Sequence, residues 1–479
     1  MEEPRNVRRT KIVCTLGPAT SSPEMIRKLI AAGMDVCRLN FSHGDYDGHG
    51  RLIKELRLAA SEAGRYVGLL QDLAGPKIRL GEIQERRVEV GQMVDLVYGL
   101  KTQADELPIN YEYLLEDVEI GNRILLADGK VELDVKDKTR DSLKCQVVVG
   151  GVLSSRKGVN MPFSHLRIGA FTEKDRHDLE FGLETGVDLV AMSFVRHEQD
   201  LAPLREMMSG LACPPLLIAK IEKPQALERL ARILAVVEGV MVARGDLGVE
   251  MPVEEVPVVQ KRIIREARRA GKVVITATQM LGSMIASPRP SRAEVTDVAN
   301  AVLDGTDAVM LSDETAMGKY PVEAVQVLDK VARWTEPQLD SARFMSEDFS
   351  DLLPAAEAAI SRAAAWLARD LEPAAIVAAT ASGSTARLMA RFRLPLTVVG
   401  LSANERTCRQ LCLSWGVMPA LVPVCRTVDD MVQEIKRWVT AHGVAGSGDR
   451  LIFTAGVPLQ QPGTTNLIKV IEIKEEAGG

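Results

Sequence analysis

The stretches LLIAKIE (Leu216–Glu222) and GVMVARGD (Gly239–Asp246) decide the fold, because each is a continuous apolar run that ends in charged residues. Apolar residues that continue without alternating are typical of parallel strands buried on both faces. The pattern defines eight runs, which are Lys11–Leu16, Asp35–Phe41, Tyr66–Leu73, Asp188–Phe194, Leu216–Glu222, Gly239–Asp246, Lys272–Gln279 and Ala308–Thr315. Helical patterns follow most runs, at Pro23–Ala32, Glu173–Glu184, Pro224–Val236 and Pro252–Ala270. The alternation predicts an α/β chain built on a (β/α)8 barrel.

The carboxyl ends of these runs are polar. They close with Arg38, Asn40 and Ser42; with Asp72; with Ser193; with Lys220 and Glu222; with Arg244 and Asp246; with Thr278; and with Ser312 and Glu314. In a (β/α)8 barrel the carboxyl ends of the strands form one face, and active sites lie there. The sequence therefore predicts a catalytic site at the mouth of the barrel.

Two stretches fall outside the barrel pattern, which covers residues 1–80 and 167–345. Residues 81–166 contain short β-like runs between turn residues, and they predict a small all-β lid domain inserted after the third strand. Residues 346–479 contain an Ala-rich helix (Pro354–Arg369) followed by strands alternating with helices. This last stretch predicts a C-terminal regulatory domain with an open-sheet α/β fold.

Composition excludes several classes of protein. The 479 residues carry a net charge of −6 and 4% aromatic residues, so no nucleic-acid surface is expected. The seven cysteines are odd in number and include no C-x-x-C pair, which favours reduced thiols. We find neither a signal peptide nor an apolar stretch of the roughly 20 residues that cross a bilayer. We therefore expect a cytoplasmic protein without a membrane partner.

Glu222 and Asp246 close adjacent strands, so their carboxylates can converge on one cation. Mg2+ favours one or two protein carboxylates, with waters and substrate oxygens as its other ligands. Glu222 comes two residues after Lys220 on the same strand, so the two side chains point to the same side. The Lys220 ammonium can therefore neutralise a phosphoryl group in transfer. A simpler interpretation is that Glu222 and Asp246 are solvated acids and that Lys220 forms only a structural ion pair with Glu222. The position of all three residues on one face of the barrel favours the metal site over this interpretation. The pattern indicates a magnesium-dependent phosphotransferase.

Two further features are suited to anions. Arg38 offers a planar fork for phosphate or carboxylate. Gly245 and Gly248 flank Asp246 and expose backbone N–H groups, although a plain turn explains the same glycines. The string Thr380–Thr385 places hydroxyls at a helix start, where they serve either a phosphate site or helix capping.

Seven segments closely resemble the pyruvate kinase family, and the resemblance covers nearly the whole chain. They are RRTKIVCTLGPAT (Arg8–Thr20), VCRLNFSHG (Val36–Gly44), DLAGPKIR (Asp72–Arg79), KIE (Lys220–Glu222), MVARGDLGVE (Met241–Glu250), ATQMLGSMIASPRPSRAEVTDVANAVLDGTDAVMLSDETAMGKYP (Ala277–Pro321) and TAGVPLQQPGTTNLIKV (Thr454–Val470). The resemblance implies transfer of the phosphoryl group of phosphoenolpyruvate to ADP, which gives pyruvate and ATP in the last step of glycolysis.

The resemblance also implies a role for each site residue. The catalytic residues would be Lys220, Arg38, Thr278 and Ser312. Arg38 and Lys220 would hold the transferring phosphoryl group. Thr278 and Ser312, with water, would protonate the enolate. The substrate carboxylate would lie against Gly245, Asp246 and Thr278. One Mg2+ would bind Glu222 and Asp246, and a second would arrive with the nucleotide at Asn40, His43, Arg79 and Lys174.

The chain departs from many family members at a pocket that holds K+. Those members read Asp-Thr and then Gly-Pro-Glu at the third strand, whereas this chain reads Asp72-Leu73 and then Gly75-Pro76-Lys77. The pocket would consist of Asn40, Ser42, Asp72 and Leu73, and Leu73 has no hydroxyl. We expect that Lys77 replaces the ion and that K+ is not required.

The resemblance further suggests a homotetramer, and a sugar phosphate is the expected effector at Thr380, Ser382, Gly383, Ser384 and Thr385. Two other functions stay open at this point. A Mg2+-dependent C–C lyase acting on pyruvate would also use Arg38, Glu222 and Asp246, but it would not need the nucleotide residues. A non-catalytic metabolite sensor would keep the hydroxyl-rich loop without needing Lys220.

Overall fold

The computed structural model describes residues 7–101, 106–162, 164, 166–347, 355–459 and 465–474. The chain begins with three barrel strands and two helices, which are β1 (Lys11–Thr15), α1 (Pro23–Ala32), β2 (Val36–Asn40), α2 (Tyr46–Glu62) and β3 (Gly68–Asp72). Helix α1 begins at Pro23 because the preceding Ser22 caps it and accepts a hydrogen bond from the backbone of Met25.

The inserted β structure follows β3. Its elements are β4 (Arg86–Val88), β5 (Met93–Tyr98), β6 (Glu106–Ile109), α3 (Leu114–Asp117), β7 (Arg123–Leu126), β8 (Val131–Lys138), β9 (Leu143–Val149), β10 (Gly151–Leu153) and β11 (Val159–Asn160). Six strands form one sheet in the order β11-β7-β8-β9-β5-β6, and β10 pairs with β4. Alternate residues of β8 (Val131, Leu133 and Val135) pack into the core of this unit. The predicted inserted β structure is confirmed, although α3, β6, β10 and β11 were not predicted.

The chain then returns to the barrel. The elements are α4 (Glu173–Thr185), β12 (Leu189–Met192), α5 (Ala202–Met208), β13 (Leu216–Ile221), α6 (Pro224–Glu228), α7 (Leu230–Val236), β14 (Gly239–Ala243), α8 (Arg244–Glu250), α9 (Val256–Arg269), β15 (Val273–Ala277), α10 (Arg292–Asp304), β16 (Ala308–Leu311), α11 (Asp313–Ala316), α12 (Pro321–Thr335) and α13 (Ser341–Ser346). Short 3-10 helices lie at Pro18–Thr20, Glu198–Leu201, Val253–Glu255, Gly282–Ile285 and Glu336–Gln338.

Eight parallel strands close the barrel in the order β1-β16-β15-β14-β13-β12-β3-β2. One set of strand residues, including Val13, Leu70 and Met241, packs inside the barrel. The alternate set packs outward against the helices. Burial on both faces explains the continuous apolar runs, and the predicted (β/α)8 barrel is confirmed.

All eight barrel strands end before their predicted last residue, and two of them end three or four residues early. The strand predicted over Gly239–Asp246 ends at Ala243, so Asp246 lies in the first turn of α8. The chain turns there because Arg244 donates to the carbonyl of Thr278 at 2.7 Å, beyond the end of the neighbouring strand. The strand predicted over Ala308–Thr315 likewise ends at Leu311.

Two predicted helices also differ in extent. The helix predicted over Pro224–Val236 is divided into α6 and α7 at Arg229, whose backbone leaves the helical region at φ −105° and ψ 8°. The helix predicted over Pro252–Ala270 becomes α9 from Val256 onward. Pro252 instead caps a 3-10 turn.

The C-terminal part contains α14 (Ala355–Leu371), β17 (Ala375–Ala379), α15 (Ser384–Ala390), β18 (Thr397–Ser402), α16 (Glu405–Leu411), β19 (Val417–Leu421), α17 (Val428–Ala441), β20 (Arg450–Gly456) and β21 (Thr465–Glu472). The sheet order is β19-β18-β17-β20-β21, with β21 antiparallel to β20. The predicted open α/β sheet is confirmed, but β21 was not predicted. Residue 354, the predicted start of α14, lies outside the described residues.

The C-terminal sheet domain packs against the underside of the barrel, opposite its mouth. Asp188, before β12, accepts hydrogen bonds from Leu69 N at 2.9 Å and from Arg409 Nε at 2.8 Å. Asp307, before β16, accepts one from Trp415 N at 3.1 Å and pairs with Arg393 at 3.0 Å. Over the described residues, no helix is long and apolar enough to span a membrane.

Candidate active site

Lys220 lies at the centre of the barrel mouth, near the end of β13. Its ammonium donates to Ser193 Oγ at 2.8 Å and pairs with Glu222 Oε1 at 2.8 Å and Asp72 Oδ1 at 3.3 Å. Burial lowers the pKa of Lys220, but the charges of Asp72 and Glu222 outweigh burial and hold the pKa above its ordinary value. The ammonium is therefore a fixed positive charge.

Asp72, at the end of β3, holds Arg38 and Lys220 together. Arg38 Nε donates to Asp72 Oδ2 at 2.7 Å, and Arg38 Nη1 donates to Thr15 Oγ1 at 2.9 Å. Asp72 is 1% exposed, and although burial alone raises its pKa, the charges of Lys220 and Arg38 lower the pKa below its ordinary value. Arg38 Nη2 makes no hydrogen bond to any residue that the structure describes, so it is free to donate hydrogen bonds to a bound anion.

Glu222 and Asp246 form an acidic pair beside Lys220. Glu222 Oε2 accepts a hydrogen bond from Phe194 N at 2.7 Å, and Glu222 is 1% exposed. Burial, and then the charge of Glu222, raise the pKa of Asp246 to about 6. A divalent cation between the two carboxylates would relieve this repulsion. Over the described residues, no group of three or more metal-ligating acids, histidines or cysteines gathers anywhere. The pair therefore suits Mg2+, which needs few protein ligands.

Thr278 follows β15 in the left-handed region, with φ 66°, which is a strained position for a β-branched residue. Its Oγ1 accepts a hydrogen bond from Gly245 N at 2.7 Å and donates to Ala277 O at 2.6 Å. A Cβ at position 245 would lie 3.3 Å from that oxygen, so glycine permits the close approach. The structure thus brings Gly245 and Thr278 into contact, with Asp246 next to Gly245 in the chain.

Ser312 follows β16 at the edge of the same mouth. Its backbone N–H donates to Glu314 Oε2 at 2.7 Å, and Glu314 Oε1 accepts a hydrogen bond from Leu281 N at 3.1 Å. Within the described chain the Ser312 hydroxyl makes no hydrogen bond. It is therefore available to a water or a substrate.

The four residues of the expected monovalent-cation pocket, Asn40, Ser42, Asp72 and Leu73, lie close together in the chain fold. Asn40 Oδ1 accepts a hydrogen bond from Ser42 N at 3.1 Å. Leu73 directs its side chain into the layer between strands and helices, where it is 1% exposed. Its side chain therefore offers the pocket no ligand.

Lys77 is half-buried and makes no ion pair with the described residues. Burial, and then the charges of Arg79 and Lys220, lower the pKa of Lys77, while Asp72 and Asp246 oppose them. The Lys77 ammonium is therefore within electrostatic range of the Lys220 cluster. A simpler interpretation is that Lys77 points to solvent and pairs with a surface acid, but no acid in the described part of the chain pairs with it.

The four expected nucleotide residues come from three segments of the chain. Asn40 is the last residue of β2, and His43 follows shortly after it. Burial, followed by the charges of Lys77 and Arg79, lowers the pKa of His43. Lys174 donates to Phe41 O at 2.8 Å, one residue beyond the end of β2, and to Asp178 Oδ2 at 2.5 Å. Arg79 reaches a cleft under the inserted β sheet.

That cleft is a cavity of about 780 Å3 between the barrel mouth and the β sheet. Its lining is rich in cations, including Lys77, Arg79, Arg156, Lys157 and Lys223, next to Asp246. A positive cleft raises the local concentration of an anionic substrate. The sequence analysis assigned no role to Arg156, Lys157 or Lys223. The available signal for the first two was their adjacent positions in the turn segment SSRKG (154–158).

Ser193 is the other functional residue that was not assigned in advance. It was recognised as a polar strand end, yet its role depends on its neighbours. Its hydroxyl accepts a hydrogen bond from Lys220 Nζ at 2.8 Å and donates one to Leu73 O at 2.8 Å. Ser193 thereby fixes the ammonium relative to β3.

The hydroxyl-rich loop Thr380–Thr385 lies far from the mouth, on the other side of the barrel. Ser382 Oγ donates to Ser384 Oγ at 3.2 Å, and Gly383 adopts φ 82° before α15. Thr385 Oγ1 is buried and shares a hydrogen bond of 2.8 Å with Thr465 Oγ1. Thr380, Ser382, Ser384 and Thr385 line a cavity of about 1480 Å3 between the C-terminal sheet and the barrel.

The fold and the site together define a barrel enzyme that handles anions beside a divalent metal. Residues 7–325 match the family described as pyruvate kinase, barrel domain, and residues 358–471 match pyruvate kinase, alpha/beta domain. The chain is 44% identical to pyruvate kinase of Sporosarcina psychrophila, over 97% of this chain and 80% of the relative. It is 46% identical to pyruvate kinase 2 of Synechocystis, over 98% of this chain and 80% of that relative. A crystal structure of a pyruvate kinase from Cryptosporidium parvum superposes with a TM-score of 0.91 at 34% identity, covering 97% of this chain and 96% of that one.

The chain belongs to the pyruvate kinase family. It is accordingly a phosphotransferase of glycolysis, whose substrates are phosphoenolpyruvate and ADP and which uses a divalent metal cofactor. The lyase and the sensor that the sequence left open are set aside by this membership.

Proposed function

We propose that Lys220 and Arg38 hold the phosphoryl group while it passes from phosphoenolpyruvate to ADP. The observation that carries the proposal is the position of the Lys220 ammonium, which Ser193, Glu222 and Asp72 hold from three strands. A charge held in place before the reaction stabilises the transferring group without reorganisation. ATP formation from phosphoenolpyruvate, ADP and Mg2+ tests the activity. Pyruvate formation without ADP would instead indicate hydrolysis of phosphoenolpyruvate, with water as the phosphoryl acceptor.

Glu222 and Asp246 are proposed to hold one Mg2+, and the nucleotide to bring a second. The bound ions supply positive charge for the phosphoryl oxygens and orient the substrate. Gly245 and Thr278 would position the substrate carboxylate, since Gly245 N lies at the start of α8. Asn40, His43, Arg79 and Lys174 would bind the nucleotide, and Arg79 already lines the cleft.

Thr278 and Ser312, together with water, are proposed to deliver the proton to the enolate. The Thr278 hydroxyl donates a hydrogen bond to Ala277 O at 2.6 Å. Ser312, with no such bond in the described chain, is the better placed of the two to pass a proton from a water. Both side chains would act as relays rather than as strong acids.

Lys77 is proposed to take the place of K+. Its half-buried ammonium lies beside Lys220 and Asp72, and like charge disfavours a second cation there. The buried Leu73 side chain removes one ligand from the pocket. The net effect is a site whose positive charge comes from the protein.

We therefore expect activity in tetramethylammonium buffer with Mg2+ to stay flat when KCl is added. Lys77→Glu should lose activity in that buffer and recover it with KCl, because a carboxylate restores the negative charge that a cation needs. Steady-state kcat at a series of KCl concentrations measures both. A large rise in the wild-type kcat on adding K+ would contradict the proposal.

A sugar phosphate is proposed to bind at the Thr380–Thr385 loop and to tune the barrel. The 1480 Å3 cavity supports it, because its wall includes Ser382 and Ser384 on one side and Lys272 of the barrel on the other. Arg387, which lines the cavity and is 9% exposed, donates to Ser382 O at 3.1 Å. A phosphate that binds the loop would thus contact groups from both domains.

Replacing both hydroxyls (Ser382→Ala with Ser384→Ala) should abolish activation by the sugar phosphate and spare basal turnover. The reason is that each hydroxyl donates to the phosphate, while neither reaches the barrel mouth. Saturation curves for phosphoenolpyruvate, with and without a panel of sugar phosphates, provide the measurement. If no sugar phosphate moves the wild-type curve, the loop is only a helix cap.

The remaining proposals concern organisation. The barrel domain would comprise residues 1–80 and 167–345, the lid 81–166 and the regulatory domain 346–479. The working form would be a homotetramer in the cytoplasm.

A further inference from the structure

We propose that Asn160, Lys223 and Glu250 form a latch that couples the position of the lid to the two metal-binding carboxylates. The latch rests on the proposed function, since it takes Glu222 and Asp246 as the metal ligands. These three latch residues are positioning residues, because none of them is assigned a contact with the substrate.

The latch is centred on one buried oxygen atom. Glu250 ends α8 and is 2% exposed. Its Oε1 accepts a hydrogen bond from Lys223 Nζ at 2.6 Å and another from Asn160 Nδ2 at 2.7 Å. Glu250 Oε2 is buried and has no donor among the described residues. Among the described residues, one lysine and one lid amide are therefore the donors to this carboxylate, and both bind the same oxygen.

The lid contacts α8 at a second point. Asn160 belongs to β11, which pairs with β7 in the six-stranded lid sheet. The turn between β7 and β8 carries Gly129, where an added Cβ would lie 3.8 Å from Val249 Cγ1. The polar contact at Glu250 and the close approach at Val249 fall on adjacent residues of one helix. A movement of the lid must therefore break or drag both.

Lys223 and Glu250 each connect directly to a proposed metal ligand. Lys223 is the next residue after Glu222, and its ammonium lies 5.9 Å from the centre of the Phe194 ring. The backbone N–H of Phe194 in turn donates to Glu222 Oε2 at 2.7 Å. Glu250 lies one helical turn after Asp246 on α8. The segments that carry the two carboxylates thus meet at the Glu250 oxygen.

A purely structural ion pair between Lys223 and Glu250 would not need the hydrogen bond that Asn160 donates from the lid. Lys223 alone would neutralise Glu250, yet an amide from another sheet completes the site. When the lid swings away, Glu250 loses one of its two donors in a buried place, and an unsatisfied buried carboxylate is costly. The anchor shared by the α8 helix and the end of β13 then rests on Lys223 alone. The two metal carboxylates should bind a divalent cation less well in that state.

Asn160→Ala tests the latch without changing any charge. A hydrogen bond to a charged group shifts an equilibrium by about tenfold to a hundredfold, so exchange of the amide hydrogens at 159–161 should accelerate by that order in the metal-free enzyme. The Kd for Mn2+, measured by electron paramagnetic resonance without substrate, should rise severalfold, as should KM for ADP. Gln84→Ala is the matched control. It removes an exposed amide of the inserted segment that does not line the cleft, and none of these readouts should change in it.

A swap of donor and acceptor distinguishes the latch from general loosening. Asn160→Asp places a second carboxylate against Glu250 and should weaken Mn2+ binding more than Asn160→Ala does. Combining it with Glu250→Gln restores one donor and one acceptor, so the double variant should recover part of the lost Mn2+ affinity. Absence of any recovery overturns the latch.

The other outcomes separate the latch from the metal assignment. If Asn160→Ala speeds amide exchange but leaves the Mn2+ Kd unchanged, the lid is tethered without coupling and the latch is wrong. If amide exchange is itself unchanged, the contact does not hold the lid, and the latch is equally wrong. Failure of the metal assignment shows elsewhere, as an unchanged Mg2+ requirement in Glu222→Gln.

Discussion

Lys220→Met is expected to lower kcat by roughly 10²–10³-fold or more, because it removes a preorganised charge from the transferring phosphoryl group. The ammonium is held by Ser193, Glu222 and Asp72 before the reaction begins. KM for phosphoenolpyruvate should rise much less, because Arg38 and the metal ion still bind the substrate. Steady-state kinetics with saturating Mg2+ separates the two constants.

The variant must also be checked for stability, because Lys220 lies between two buried carboxylates. Its side chain is 11% exposed, and breaking a buried ion pair costs about 3–5 kcal/mol. Thermal unfolding with and without Mg2+ shows whether the variant is still folded at the assay temperature. Lys28→Met, which removes an exposed lysine on α1, serves as the control and should keep wild-type kcat. A Lys220→Met enzyme within threefold of the wild-type kcat would remove Lys220 from the mechanism.

The barrel could be predicted from the sequence because its strands are buried on both faces. Runs such as Leu216–Glu222 are then apolar throughout, and their polar ends mark one rim. Strand ends were less certain, since Asp246 belongs to a helix rather than to the strand before it. The side chain of Arg244 turns the chain there through a bond to the end of β15, which no local pattern reveals.

Side-chain partners were the part of the site that the sequence could not show. Asp72 was assigned only to a cation pocket, although the structure makes it the common partner of Arg38 and Lys220. That role exists only because barrel closure brings the ends of β2, β3 and β13 to one mouth, with β12 between β3 and β13. The latch at Glu250 has the same origin, as do the short lid strands, whose pairing is set by residues far along the chain.

Glu222→Gln is expected to raise the Mg2+ requirement strongly and to lower kcat at physiological Mg2+. A neutral amide oxygen is a poorer ligand for a hard cation than a carboxylate. The substitution keeps the shape of the side chain, so its oxygen can still accept the hydrogen bond from Phe194 N. A Mg2+ titration of activity gives the shift, and an unchanged titration would place the metal elsewhere.

The pH dependence of metal binding provides an independent measure of the same assignment. Burial and the charge of Glu222 raise the pKa of Asp246 to about 6 in the metal-free protein. A metal ligand must be deprotonated, so wild-type affinity for Mg2+ should fall as pH drops through about 6 and level off above it. Glu222→Gln removes one like charge, which lowers the pKa of Asp246 and moves this fall to more acidic pH. Metal titrations between pH 5 and pH 8 in both enzymes make the comparison. A pH profile that is the same in both would show that the two carboxylates do not share the ion.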